Sequence, residues 1–154
     1  MVAKLKECLC IYKDIPILMM ILVIYLIIAS YFDIKERRIP NILNITFLII
    51  RLLLIPFIGI GKEHLLGAIF SFLIFFIPSF ITLHKMAGDI KMAFVVGLYL
   101  SIQPVILLVG VSLFFCIIYI IIRSFKKKKS ESIAYAPFFL LSLVFLWVIS
   151  LIIL

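Results

Sequence analysis

Long apolar runs alternate with short charged interruptions along this chain, and the spacing of the interruptions predicts its architecture. The apolar runs cover residues 15–32, 39 to 55 or 60, 65–83, 90–122 and 134–154. A helix needs about 20 apolar residues to cross about 30 Å of hydrocarbon, so most of these runs read as single crossings. The run 90–122 does not. Its 33 residues make roughly 50 Å of helix, too long for one crossing and short of two. Ser101-Ile102-Gln103-Pro104 offers a break, because Pro removes a backbone donor and disfavours helix in the residue before it. The pattern therefore predicts an all-α polytopic membrane protein with six transmembrane helices. Its fourth span is short, about 90–102, and its fifth covers about 105–122.

Composition agrees with the pattern. At 67% hydrophobic residues and a mean hydropathy of +1.40, the chain is not a soluble globular domain. The first run is too long for a signal-peptide core and is followed by charges rather than a small-residue cleavage site, so it reads as a retained span. The net charge of +8 does not point to nucleic acid, because the basic residues sit in short clusters between apolar runs. They read as topology signals and contacts with an anionic bilayer. Ten of the 15 Lys and Arg fall after spans 1, 3 and 5: Lys35, Arg37 and Arg38, then Lys85 and Lys91, then Arg123 and Lys126 to Lys129. The positive-inside rule makes those loops cytoplasmic and puts both termini outside. Residues 1–14 are a mixed-charge lead-in. Arg51 falls in span 2, where a helix ending at Pro56 lets its guanidinium snorkel outward; the alternative is a partner in the interior.

Few side chains in this chain carry chemistry. Cys8, Cys10 and Cys116 are odd in number and lack a CxxC pair, so they support neither a disulfide framework nor a zinc site; Cys116 reads as packing. His64, in the turn 59–64, and His84, in the loop 84–89, fall on opposite faces of the membrane and cannot share a metal. No HExxH, GxSxG or phosphate-binding loop appears. No cofactor or metal is expected.

Two acids remain, Asp33 at the end of span 1 and Asp89 in Ala87-Gly88-Asp89-Ile90-Lys91. An acid at the edge of a membrane span is costly and marks a functional site by default. Two crossings separate the pair, so both lie at the same boundary. Small residues (Ala29 and Ser30 before Asp33, Gly88, Ala93 and Gly97 around Asp89) allow close helix packing there. At about 4 Å and an effective dielectric near 20, ionising both acids would cost about 4 kcal/mol. Such a pair shares a proton, one member activating water while the other polarises a carbonyl. The helix dipoles favour Asp89 as the base, since it begins a helix and Asp33 ends one. Glu7, Asp14 and Glu63 lie on the opposite side; Glu36 and Glu131 sit among Lys and Arg.

Asp33-x-Lys-x-Arg-Arg-Ile-Pro-Asn41 resembles the first-aspartate motif of the type IV prepilin and archaeal preflagellin peptidases. Ala87-Gly88-Asp89-Ile90-Lys91 resembles their second, GxGD-type motif, and Tyr135-Ala136-Pro137-Phe138-Phe139 is similar to the segment opening the family's last span. The resemblance covers about 15–145. It implies an aspartyl endopeptidase that removes short basic leaders from prepilin-like precursors at the cytoplasmic face, with Asp33 and Asp89 catalytic. Met86 stands where the motif has its first Gly. The amino-terminal methyltransferase region of larger members, with its CxxC pairs, is not expected, which leaves one peptidase domain over 1–154. Two other classes use the same features: a small proton- or cation-coupled transporter built on the two acids, and a non-catalytic membrane subunit of a pilus or secretion assembly. The sequence does not fix an oligomeric state.

Overall fold

The computed structural model describes residues 16–82, 87–125 and 134–153, and their regular structure is entirely helical. The lead-in 1–14 with Cys8 and Cys10, the loop residues His84, Lys85 and Met86, and Lys126 to Lys129 with Glu131 lie outside the described residues. Seven helices are described: α1 (Pro16–Glu36), α2 (Asn41–Leu53), α3 (Ile55–Ile58), α4 (Lys62–Thr82), α5 (Ala87–Tyr99), α6 (Ile102–Phe125) and α7 (Ala136–Ile153). Two of them, over Ile17–Glu36 and Ile102–Arg123, are long and apolar enough to cross a membrane by length and composition. Helices α2 and α7 are shorter apolar elements.

The long apolar run breaks where expected, three residues early. Helix α5 stops at Tyr99 and α6 starts at Ile102, so Pro104 falls in the first turn of α6, where a missing N–H costs little. The other boundaries shift in instructive ways. Helix α1 runs one turn past Asp33, and Arg37 ends it with φ 55°. The Arg37 amide donates back to the Asp33 carbonyl at 3.1 Å. Span 2 divides at Leu54, with Pro56 inside the short α3 and Gly59 at φ 75° closing it. The expected turn 59–64 is shorter, because α4 begins at Lys62.

Helix α5 is the core of the bundle. Met92, Ala93, Val95, Val96, Gly97, Leu98 and Tyr99 are all buried, so neighbours cover it nearly all round. Its closest partner is α4. A Cβ built on Gly97 would meet the Ser71 hydroxyl and stand 2.5 Å from the Gly67 carbonyl and 2.6 Å from Ala68 Cα. Gly67 is confined too, though less tightly, its Cβ position lying 3.0 Å from the Gly97 and Leu100 carbonyls. The Ser71 hydroxyl sits 2.8 Å from both the Gly67 and Ala93 carbonyls, so its one proton serves either helix. Small residues set this approach, as expected for apolar surroundings in which packing rather than water drives helix association. On the other flank, Leu18, Leu22, Leu26 and Ala29 of α1 form a buried stripe at helical spacing, as do Ala136, Phe139, Leu143 and Leu146 of α7. Cys116 is buried and free, as its place in an apolar run suggested.

Arg51 overturns its expected reading. It does not snorkel outward; it is fully buried. Its Nε donates to the Leu98 carbonyl at 3.1 Å and its Nη2 to the Gly59 carbonyl at 3.2 Å, with the guanidinium 5.9 Å from the Tyr99 ring centre. The carboxyl end of α5 is buried, from Leu98 to Ser101, so its last carbonyls need donors. Arg51 supplies one from α2. The Tyr99 hydroxyl ties back, donating to the Phe47 carbonyl at 2.9 Å.

Two expectations follow for unfolding of the detergent-solubilised protein. Arg51→Met strands two carbonyls, and each lost charge-assisted bond is worth about 1.5–3 kcal/mol. Relief from burying the charge returns about 2.5–3.5 kcal/mol, leaving a net loss of about 1.5 kcal/mol; Arg51→Lys should not restore it, lacking the planar fork. Gly97→Ala should lose about 1–3 kcal/mol through overpacking. At Gly110 in α6, where nothing lies within 4 Å of a Cβ, the same change should gain about 0.5–1 kcal/mol.

Candidate active site

Asp33 and Asp89 reach one end of the bundle from opposite directions in the chain. Asp33 lies in the last turns of α1 and is only 6% exposed. Asp89 lies in the first turn of α5 and is half-buried. Each helix is held by apolar packing along its length, so both acids inherit fixed positions. Gly88 helps to seat Asp89: a Cβ there would stand 3.4 Å from the Cβ and amide nitrogen of Ile39, in the link between α1 and α2. The two carboxylates are within electrostatic reach of each other. The structure therefore brings together the two acids singled out from sequence. Glu36 and Glu63, by contrast, are exposed, Glu63 at the opposite end of the bundle.

One feature of the site was not expected. The Ala136 amide, first in α7, donates to Asp33 Oδ2 at 2.9 Å across 103 positions of sequence, and the Tyr135 amide faces the same carboxylate. Pro137 has no N–H, and the Phe138 amide turns back to the Tyr135 carbonyl at 3.1 Å. Ala136 is thus the donor that the start of α7 has free for a distant acceptor. Asp33 meets the positive end of α7 as well as the negative end of α1. The dipole argument that favoured Asp89 as the base therefore no longer ranks the two acids.

Tyr135 closes the site from the α7 side. Its ring packs edge-on against Phe75, with centroids 4.9 Å apart. Its hydroxyl lies 3.3 Å from the Ser112 hydroxyl of α6, and it feels the charge of Asp89. Sequence reasoning marked the Tyr135-Ala136-Pro137 segment but gave it no contact; a Pro just inside a helix start was the available signal. Ser112 carried none. Arg37 is within electrostatic reach of Asp33. Among the described residues, no three His, Cys, Asp or Glu side chains gather closely enough to hold a metal ion.

An aspartate pair in a mostly apolar setting, with an amide holding one member, is suited to sharing a proton and handing it to and from a polar substrate. Comparison with known proteins bears on which chemistry that is. Neither the curated proteins nor the solved structures return a match. The family model described as the type IV leader peptidase family matches residues 20–121. That match contains both Asp33 and Asp89 and stops short of α7. Since it covers well over half of the 154 residues, the chain belongs to the type IV leader peptidase family.

Proposed function

We propose that this protein is a membrane aspartyl endopeptidase that cleaves the short basic leader of type IV prepilin-like precursors at the cytoplasmic face, with Asp33 and Asp89 as its catalytic pair. The observation that carries the reading is the convergence of two acids from the family-matched stretch, one buried and one half-buried, within electrostatic reach of each other. In the proposed reaction one carboxylate takes a proton from water as the water oxygen attacks the scissile carbonyl carbon. The other, protonated, donates a hydrogen bond to the carbonyl oxygen. Collapse of the tetrahedral intermediate breaks the C–N bond, and the leaving nitrogen takes a proton from the pair.

The proposed topology has six spans and a cytoplasmic active site. Arg51 and the Gly59 carbonyl lie at the α5 carboxyl end, and the acids lie at the amino end, which supports opposite faces for Gly59 and Asp33. Basic residues cluster on the acid side (Lys35, Arg37, Arg38, Lys91), which supports a cytoplasmic orientation. A cysteine substituted for Lys62 should then react with impermeant thiol reagent from outside the cell and not from the cytoplasm; cytoplasmic labelling would overturn this topology.

Leader cleavage by the purified protein tests the chemistry. Asp33→Asn and Asp89→Asn should each lower the rate by at least about 10²-fold, since Asn keeps the shape but does not exchange the proton. The double variant should be no worse than either single, because groups acting as a unit are strongly non-additive. Glu36→Gln should retain most activity. Near wild-type cleavage by either Asn variant, at matched expression, would remove the two-aspartate mechanism and favour a transporter or assembly subunit.

A further inference from the structure

On another face of α5 from Asp89, helices α2, α4 and α5 line an open groove of about 720 Å³, a size typical of ligand sites, which run from about 300 to 1,000 Å³. Its walls are apolar stripes at helical spacing, Ile69, Phe72 and Leu73 from α4 and Phe94 and Val95 from α5. Its polar groups are confined to one end. Asn41 and Lys91, both exposed, stand at the mouth, and Asn44 follows one turn deeper on α2.

Asn44 is the informative member. It is 4% exposed, and its Oδ1 accepts the Tyr25 hydroxyl proton at 2.6 Å. Its Nδ2 has no acceptor among the described residues. A donor left unpaired in apolar surroundings is costly; this one has almost no accessible surface, so an acceptor in the groove meets it when the Asn44 side chain turns outward. At the mouth, Lys91 Nζ donates to Asn41 Oδ1 at 2.8 Å. An ammonium has three N–H groups, so further donors remain there for an anion.

The order of groups is a cation and amide donors at the mouth, one buried donor a turn inward, then hydrocarbon. That is the order of a phosphate, a glycerol ester carbonyl and an acyl chain. The alternative occupant, the peptide being cleaved, fits less well. Lys91 follows Asp89 by two positions, about 200° around the helix, so the groove faces away from the acid pair. Basic pockets between membrane helices are recognised lipid-headgroup sites.

We propose that this groove binds one anionic glycerophospholipid, with its phosphate at Lys91 and Asn41, an ester carbonyl on Asn44 Nδ2 and an acyl chain against α4 and α5. The inference rests on the membrane reading and not on the peptidase chemistry. Native mass spectrometry of the full chain, released from detergent after titration with dioleoylphosphatidylglycerol or dioleoylphosphatidylcholine, tests it. The wild type should retain one lipid and favour phosphatidylglycerol by about fivefold, the contribution expected of one lysine near anionic lipid. Lys91→Met should bind the two lipids equally. Leu73→Trp, an exposed lining position, should fill the groove and lose both while keeping wild-type helicity. Three results would overturn the site: no lipid retained by the wild type, an undiminished preference in Lys91→Met, or unchanged retention in Leu73→Trp. Retention unchanged in Leu73→Trp with leader cleavage lost would assign the groove to the precursor instead. A wild type that cleaves no leader would leave the lipid measurement intact, so the two readings fail separately.

Discussion

The bond from the Arg51 guanidinium to the Leu98 carbonyl is the constraint on which the rest of this structure turns. The carboxyl end of this thirteen-residue helix is buried, from Leu98 to Ser101, so its last carbonyls finish away from water. Unpaired carbonyls there cost several kcal/mol each. A buried charge is also expensive, but a planar cation that bonds Leu98 and Gly59 and faces the Tyr99 ring offsets much of its own desolvation. The cation also sits at the negative end of the α5 dipole, with Asp89 at the positive end. One buried side chain thereby makes a short central helix tenable.

A short central helix is what the site needs. With α5 clamped at its carboxyl end and pressed against α4 through Gly67, Ser71 and Gly97, its first turn has little freedom, and Asp89 is placed by the whole element. Asp33 is placed differently. Its helix is long and packs against α7, whose first amide takes hold of the carboxylate. Two acids from distant parts of the chain are held by independent devices, one an axial clamp and the other a helix-start hydrogen bond. The arrangement suits a pair whose chemistry depends on their separation.

Much of this was legible in the sequence because apolar runs and charges report directly on burial. The break near Ser101 followed from length together with Pro104, and Gly97 does mark close packing, though against α4 rather than against the helix that carries Asp33. Arg51 was misread for a physical reason: a lone cation near the end of an apolar run looks the same whether it snorkels or caps, and the difference lies in a carbonyl 47 positions away. The Ala136 amide was invisible for a similar reason, since a backbone donor has no side-chain signature. The end of α1 was set too early because Asp33 looked like a terminator, whereas Arg37, in a left-handed conformation uncommon for a non-glycine residue, ends the helix one turn later. Asn44 and Tyr25, on separate helices, gave no hint that they would pair.

The central claim is that Asp33 and Asp89 meet at one end of the bundle, and cross-linking tests it most directly. In a background with Cys8, Cys10 and Cys116 replaced by Ser, cysteines at 33 and 89 should be joined within one chain by a short bifunctional thiol reagent, in native membranes and in high yield. The pair at 33 and 64 should not be joined, because His64 lies at the Arg51 end of α5. Efficient cross-linking of 33 to 64, or none between 33 and 89 while both cysteines remain reactive, would contradict the account.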